Sequence, residues 1–308
     1  MQLAISTNWN STRHNTADGM LNEILSLGIN SVEVGYSITQ TQADGLEKWA
    51  SVGKICITGV HSFCPPSNSG YSAGAGPECF SLCDPDDFKK NQFAIKSLKG
   101  TADFAKSVGG KYVVVHAGRV PINQHIVKLE QMAEENLIGT PSYQKQLMTV
   151  MDKRDKHISA YFNTLKESLR ILLPYFEDIG IKLVLENLPS YDGIPNEPEM
   201  IELMGRFDSP SLGYWHDIGH AQIRHNLGYI HHGGILSRLK NFISGFHVHD
   251  VIAPTLDHCM PPKGMVKFNM FEQFAKTSLP FVLEPSRSVD SSEISKAIDY
   301  IKQLGLVD

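Results

Sequence analysis

Leu183-Val184-Leu185-Glu186-Asn187 and Phe246-His247-Val248-His249-Asp250 each close a short apolar run with residues that bind metal ions. Two more stretches do the same: Tyr214-Trp215-His216-Asp217, with His220 behind it, and Phe281-Val282-Leu283-Glu284. Side chains alternate along a strand, so residues two apart share a face. Val184 therefore sides with Glu186, Trp215 with Asp217, Gly245 with His247 and His249, and Val282 with Glu284. The first members suit a barrel interior, and the last rise to the rim. Two glutamates, an aspartate and a histidine on four successive strand tips point to one divalent-metal site made of Glu186, Asp217, His247 and Glu284. Mixed oxygen and nitrogen ligation suits Mn²⁺, Mg²⁺, Co²⁺ or Zn²⁺ and disfavours soft thiophilic ions.

Outward from these tips the chain alternates strand-like and helix-like segments. Strands are expected at Leu3–Thr7, Ser31–Gly35, Ile55–His61, Tyr112–His116, Lys182–Glu186, Leu212–Asp217, Gly245–His249 and Phe281–Glu284. Amphipathic segments lie between them at Gly19–Leu27, Asp86–Val108, Ile158–Ile179, Pro198–Arg206 and Glu293–Leu304. Eight βα units on one chain imply a closed parallel (β/α)8 barrel, a TIM barrel, over residues 1–308 as a single domain. An open doubly wound sheet would carry a glycine-rich loop after its first strand. Asn8-Trp9-Asn10-Ser11-Thr12 is no such loop. Two long connections stand out, Ser62–Pro85 after the third strand and Gly118–His157 after the fourth, the latter with an extra helix around Gln124–Glu135. Both follow strands and so belong to the catalytic face, as lids, pocket walls or oligomer contacts.

With 308 residues, 42% hydrophobic and 20% charged, the chain has the composition of a soluble globular protein. Its net charge of −5 gives no support for nucleic-acid binding, which rewards a basic face. No stretch resembles a signal peptide or a membrane span. Five cysteines are too few and odd in number for a disulfide framework, and a reduced, cytoplasmic protein is the simplest expectation. Cys79 and Cys83 could clamp zinc, but no second pair accompanies them.

Further residues gather at the same rim. His61 and His116 end the third and fourth strands, and His220 follows Asp217 by three positions at the start of a helix. With His249, they are candidates for contact with substrate, or for supporting the pocket without touching it. Glu33 lies near the end of the second strand, Trp9 follows the first, and Arg287 lies three past Glu284. Glu33 could be a pocket residue, Trp9 an apolar face for a ligand, and Arg287 a group for a distal hydroxyl or phosphate. A buried salt bridge, a packed rim tryptophan and a surface ion pair would look the same in sequence.

The combination of Val184-Leu185-Glu186-Asn187, Asp217-Ile218-Gly219-His220, Phe246-His247-Val248-His249-Asp250 and Leu283-Glu284-Pro285 resembles the xylose isomerase-like barrel superfamily. Gly59-Val60-His61 and Val115-His116-Ala117-Gly118 match too, so the likeness covers nearly the whole chain. That superfamily holds sugar isomerases and epimerases and the endonuclease IV type of abasic-site nuclease. The resemblance implies that Glu186, Asp217, His247 and Glu284 hold one divalent ion. It also implies that Glu186 and Glu284 act as an acid/base pair on opposite faces of a sugar or sugar phosphate, through an enediolate. The nuclease branch uses three metals and a second Asp-x-His pair. Here Asp257-His258-Cys259 puts Cys259 where that histidine falls, with His258 one place early, so Asp257 and His258 are candidates for a further metal. Asp250 and Asp257 are the extra carboxylates that a two-metal hydride-shift isomerase would need. A dehydratase or lyase acting on polyols, and a non-catalytic carbohydrate binder, use the same fold. Barrels of this type often pair, so a homo-oligomer is an open expectation.

Overall fold

The computed structural model describes residues 1–66 and 76–307. Eight parallel strands close on themselves. They are β1 (Gln2–Ser6), β2 (Ser31–Val34), β3 (Cys56–His61), β4 (Tyr112–Val115), β5 (Lys182–Glu186), β6 (Leu212–Asp217), β7 (Ile243–Val248) and, after a two-stranded insertion, β10 (Pro280–Leu283). Going round the barrel the order is β1, β10, β7, β6, β5, β4, β3, β2. The expected strands thus lie within two residues of the observed ones.

Helices pack outside the barrel. They are α1 (Ala17–Ser26), α2 (Gln40–Ser51), α3 (Phe88–Ser107), α4 (Asn123–Glu134), α5 (Pro141–Ile179), α6 (Glu197–Phe207), α7 (Ile218–Asn226), α8 (His232–Leu239) and α9 (Ser291–Gln303). Capping boxes at Thr39/Gln42 and Asn196/Glu199 start α2 and α6, each satisfying backbone N–H groups that the first turn leaves without partners.

Inside the barrel Ala4, Tyr112, Val114, Val184, Trp215 and Val282 form one buried layer. Tyr112 and Trp215 fill most of it, their ring centroids 4.4 Å apart. Both aromatics lean on glycines. A Cβ on Gly59 would lie 2.3 Å from the Tyr112 ring, and one on Gly245 would lie 2.1 Å from Trp215. The metal-type residues sit one step above this layer.

Two parts of the chain depart from expectation. The stretch up to His157 is not loop: Thr140 caps a helix whose 39 residues run from Pro141 to the left-handed Gly180. Its first turns bury Tyr143, Gln146, Leu147, Val150 and Arg154 at helical spacing. Polar Gln146 and Arg154 on the buried face hide that stripe in the sequence. The second departure is an antiparallel hairpin, β8 (Asp250–Ile252) and β9 (Leu256–Cys259), directly after β7.

Candidate metal centre

The four strand tips converge. Asp217 pairs with His247 across β6 and β7, and His247 pairs with Val282, two residues before Glu284. One donor atom from each of Glu186, Asp217, His247 and Glu284 lies within 4.8 Å of the others, and all four residues are buried. His247 Nδ1 is the common neighbour, 2.9 Å from Glu186 Oε1, 3.3 Å from Glu284 Oε2 and 3.8 Å from Asp217 Oδ2. β6 runs into α7 without a loop. Asp217 therefore also caps α7, its Oδ1 accepting the His220 N–H at 2.6 Å.

The hydrogen bonds choose the imidazole tautomers. His247 Nε2 lies 2.9 Å from Glu33 Oε1 and can only donate to it, so in a neutral ring Nδ1 offers a lone pair to three carboxylates. Glu33 is fully buried, and its other oxygen accepts the Tyr112 hydroxyl at 3.0 Å. It orients His247 from below rather than lining the pocket, in the carboxylate–histidine arrangement that fixes metal ligands. His61 Nδ1 donates to Ser62 O at 3.0 Å, so its Nε2 lone pair faces Glu186 Oε2 at 3.2 Å. Lone pairs facing carboxylate oxygens require a proton or a cation between them, and the donor set fits a divalent ion.

Charge follows the same geometry in the metal-free protein. Burial disfavours an imidazolium at His247, but Glu284, Glu33 and Glu186 outweigh it and hold its pKa well above the ordinary value. Burial would raise the Glu186 carboxyl, yet His247 and His116 keep it well below its usual range. Glu284 is likewise raised by burial and lowered, to about 2, chiefly by His247 and His258. Both glutamates are thus bases in waiting.

A buried chain of polar groups stands behind Asp217. Asn187 Nδ2 donates to Asp217 O at 2.9 Å, and its Oδ1 accepts the Asp217 N–H at 2.8 Å. The Asn187 carbonyl accepts from His220 Nδ1 at 2.9 Å. Tyr214 Oη bonds both Asn187 Oδ1 (2.9 Å) and His216 Nδ1 (2.8 Å), and His216 Nε2 meets His232 Nε2 at 3.1 Å. Burial pushes His216 well below its ordinary pKa and His232 down to about 3. Sequence reasoning quoted Asn187 without giving it a role. Its signal was its place directly after a ligand at a strand end.

Above the ring is a cavity of about 240 Å³ lined by Glu186, Glu284, His61, His116, His220 and His258. Tyr36, Arg119 and Pro189 line it as well, and none of the three was singled out in the sequence. His116 Nε2 bonds Glu186 Oε2 at 2.9 Å. Burial lowers the His220 pKa despite Asp217 and Glu186. His249 is fully buried, with Nδ1 accepting the His258 N–H at 2.9 Å and Nε2 donating to Asp217 Oδ2 at 3.2 Å.

The Asp257-His258-Cys259 stretch resolves in an unexpected way. His258 adopts a left-handed backbone (φ 52°), which few non-glycine residues do. Its ring stacks on His249 at 4.2 Å and its Nδ1 donates to Glu284 O at 3.0 Å. Cys259 Sγ instead contacts the Leu256 carbonyl. Asp257 stays outside the ligand groups found among the described residues, 3.9 Å from His258 Nε2 and a third exposed. Asp250 is engaged by backbone alone, accepting N–H bonds from Val251, Gly264 and Val266 at 2.7–3.0 Å.

Other expected residues lie elsewhere. Trp9 is buried, its Nε1 donating to Val289 O at 2.8 Å, and it does not line the cavity. Arg287 is exposed and does not line it either. Cys79 is exposed, while Cys83 is buried with its thiol pushed up to about 12, and neither joins the ligand groups found among the described residues. Of the first long connection, residues 67–75 lie outside the described residues. Its described flank does reach the cavity, through Gly76 and Pro77. Among the described residues no helix is long and apolar enough to cross a membrane.

A family model for the xylose isomerase-like TIM barrel matches residues 21–304. The chain belongs to that family. Two curated relatives of the family member come from Methanocaldococcus jannaschii. The uncharacterized protein MJ1614 is 26% identical over 147 residues, 46% of this chain and 53% of that protein. The uncharacterized protein MJ1311 is 33% identical over 112 residues, 35% of each. The match thus spans about half the length of the first relative and a third of the second. Solved structures extend the fold likeness over the whole chain. A D-tagatose 3-epimerase-like protein superposes with a TM-score of 0.69 at 18% identity, covering 99% of this chain and 98% of that one. The 3-keto-D-glucoside 4-epimerase of E. coli gives 0.68 at 13%, covering 98% and 99%. The D-psicose 3-epimerase of Clostridium cellulolyticum H10, solved with D-tagatose, gives 0.66 at 14%, covering 99% of both chains. Two of these structural neighbours are sugar epimerases and the other is epimerase-like, and at such identities the likeness is one of fold.

Proposed function

We propose that the protein is a divalent-metal-dependent epimerase or isomerase of a sugar or sugar derivative, working by proton transfer. The observation that carries this is the pairing of Glu186 and Glu284, both buried with an oxygen 2.9 and 3.3 Å from His247 Nδ1, beside a small cavity walled by imidazoles. An ion held by Glu186, Asp217, His247 and Glu284 would acidify the C–H next to the substrate carbonyl by drawing on the carbonyl oxygen's electrons. One glutamate removes that proton, leaving the C–H electron pair in an enediolate. The other, after taking up a proton from solvent, delivers it to the opposite face, which inverts the carbon, and the first then releases its proton to solvent. His116, bonded to Glu186 Oε2, steadies the base, and His220 and His258 face the substrate's oxygens.

The groups His61/Glu186/His247 and His220/His249/His258 are also close enough to hold ions, which favours a multi-metal phosphodiesterase as a second reading. Against it, both ring nitrogens of His249 are already hydrogen-bonded, and Asp257 does not join the second group. The test is incubation of Mn²⁺-loaded protein with a panel of ketoses in D₂O. Deuterium should enter the carbon beside the carbonyl, and Glu186→Gln and Glu284→Gln should each abolish it. Cleavage of an abasic-site duplex with no exchange into any sugar would support the second reading instead.

A further inference from the structure

Arg119 is held from two sides where the loops after β4 and β5 meet. Its backbone bridges Gly193, Val120 N–H donates to Asp192 O at 2.9 Å, and Ile194 N–H donates to Gly118 O at 3.0 Å. Its Nη1 lies 3.0 Å from Asp192 Oδ1 and also donates to Ser190 Oγ, which is itself bonded to Asp192. Asp192 is buried. The Arg119 side chain is 30% exposed and lines the cavity without belonging to the ligand groups. The loop behind is clamped as well. Tyr191 stacks on Tyr229 and has the guanidinium carbons of Arg154 and Arg224 at 5.4 and 5.6 Å, and two residues on, the Gly193 carbonyl accepts from Arg154 Nη2 at 3.0 Å.

We propose that Arg119, its charge balanced by the buried Asp192 behind it, forms a specificity subsite that reads hydroxyl groups on the part of the substrate the metal ligands do not reach. This rests on the sugar chemistry proposed above and narrows it to substrates uncharged at that end. A hydroxyl needs only an N–H from the guanidinium or an acceptor oxygen. A phosphate engages a guanidinium best through two parallel bonds and its full positive charge. Here a buried carboxylate, 3.0 Å from the guanidinium, already compensates that charge and weakens the pull on a phosphate. The clamped loops keep Asp192 from moving aside. Arg287, read from the sequence as a group for a distal hydroxyl or phosphate, does not line the cavity.

The experiment is calorimetric titration of the Mn²⁺-loaded protein with D-ketohexoses and with their 6-phosphates, with solvent-deuterium exchange recorded alongside. At least one neutral sugar should bind tenfold or more tightly than its phosphate. Asp192→Asn should shift that ratio tenfold or more toward the phosphate. Arg119→Met, at the more exposed partner, carries the test if Asp192→Asn fails to fold. It should weaken neutral-sugar binding about tenfold and leave Mn²⁺ affinity unchanged. Preference for phosphates by the unaltered protein, no binding of any sugar, or unchanged binding in Arg119→Met would overturn the proposal. Binding that follows the expected pattern without exchange would reject the epimerase function and keep the subsite. Exchange that is indifferent to both variants would do the reverse.

Discussion

His232 supplies a quantitative test of the buried chain behind Asp217. Its ring is 2% exposed and burial holds it down to about 3, against an ordinary value of 6.5. A depressed base is neutral in the folded protein while the unfolded chain takes up a proton. Stability from this residue is therefore complete above about pH 6.5 and is lost as pH falls towards 3, at about 1.4 kcal/mol per pH unit. Between pH 8 and pH 5 the loss is about 2 kcal/mol. His232→Gln keeps an N–H donor near His216 Nε2 and removes the titration. Urea unfolding of the chelator-treated protein and variant at the two pH values isolates the effect, because His216, His247 and His258 are common to both. The variant should be the less stable at pH 8, and the gap should narrow by about 2 kcal/mol at pH 5. A gap that stays constant within about half a kcal/mol would refute a buried, neutral His232.

Three other outcomes follow from the same geometry. Gly245→Ala would put a Cβ 2.1 Å from Trp215 and should destabilise by about 1–3 kcal/mol, read as a lowered melting temperature. Asp250→Ala leaves the N–H groups of Val251, Gly264 and Val266 without their acceptor and should cost about 2–4 kcal/mol. Its metal stoichiometry should not change, which mass spectrometry of the folded protein measures. Because His247 is held protonated well above its ordinary pKa, Mn²⁺ must displace that proton. Titration in buffers of different ionisation enthalpy should show proton release, and affinity should rise with pH.

The barrel and its cluster of metal-type side chains were legible because most strands are short apolar runs, several ending in a carboxylate or imidazole tip, a pattern set by local alternation. Glu186, Asp217, His247 and Glu284 meet where four such tips must meet in a closed barrel. Glu33 and Trp9 were visible as rim residues, but their direction was not. Glu33 points beneath His247, and Trp9 packs against the chain near Val289. Whether a strand-end side chain faces cavity or core depends on half a turn of backbone that composition does not encode. Arg119 was hidden for another reason. Its role comes from Ser190 and Asp192, more than seventy residues away, through a loop-to-loop bridge with no periodic signature. The length of α5 was obscured because Gln146 and Arg154 occupy buried positions and find partners there. Gln146 Nε2 donates to His125 O at 2.9 Å, and Arg154 pairs with Glu199 at 2.6 Å.

The most direct test of the metal centre is anomalous diffraction from crystals of the protein loaded with Mn²⁺. One strong peak should lie among Glu186, Asp217, His247 and Glu284, within about 2.0–2.4 Å of an atom from each. It should disappear in His247→Ala. A ring without a peak, or a peak confined to His220, His249 and His258, would contradict the account.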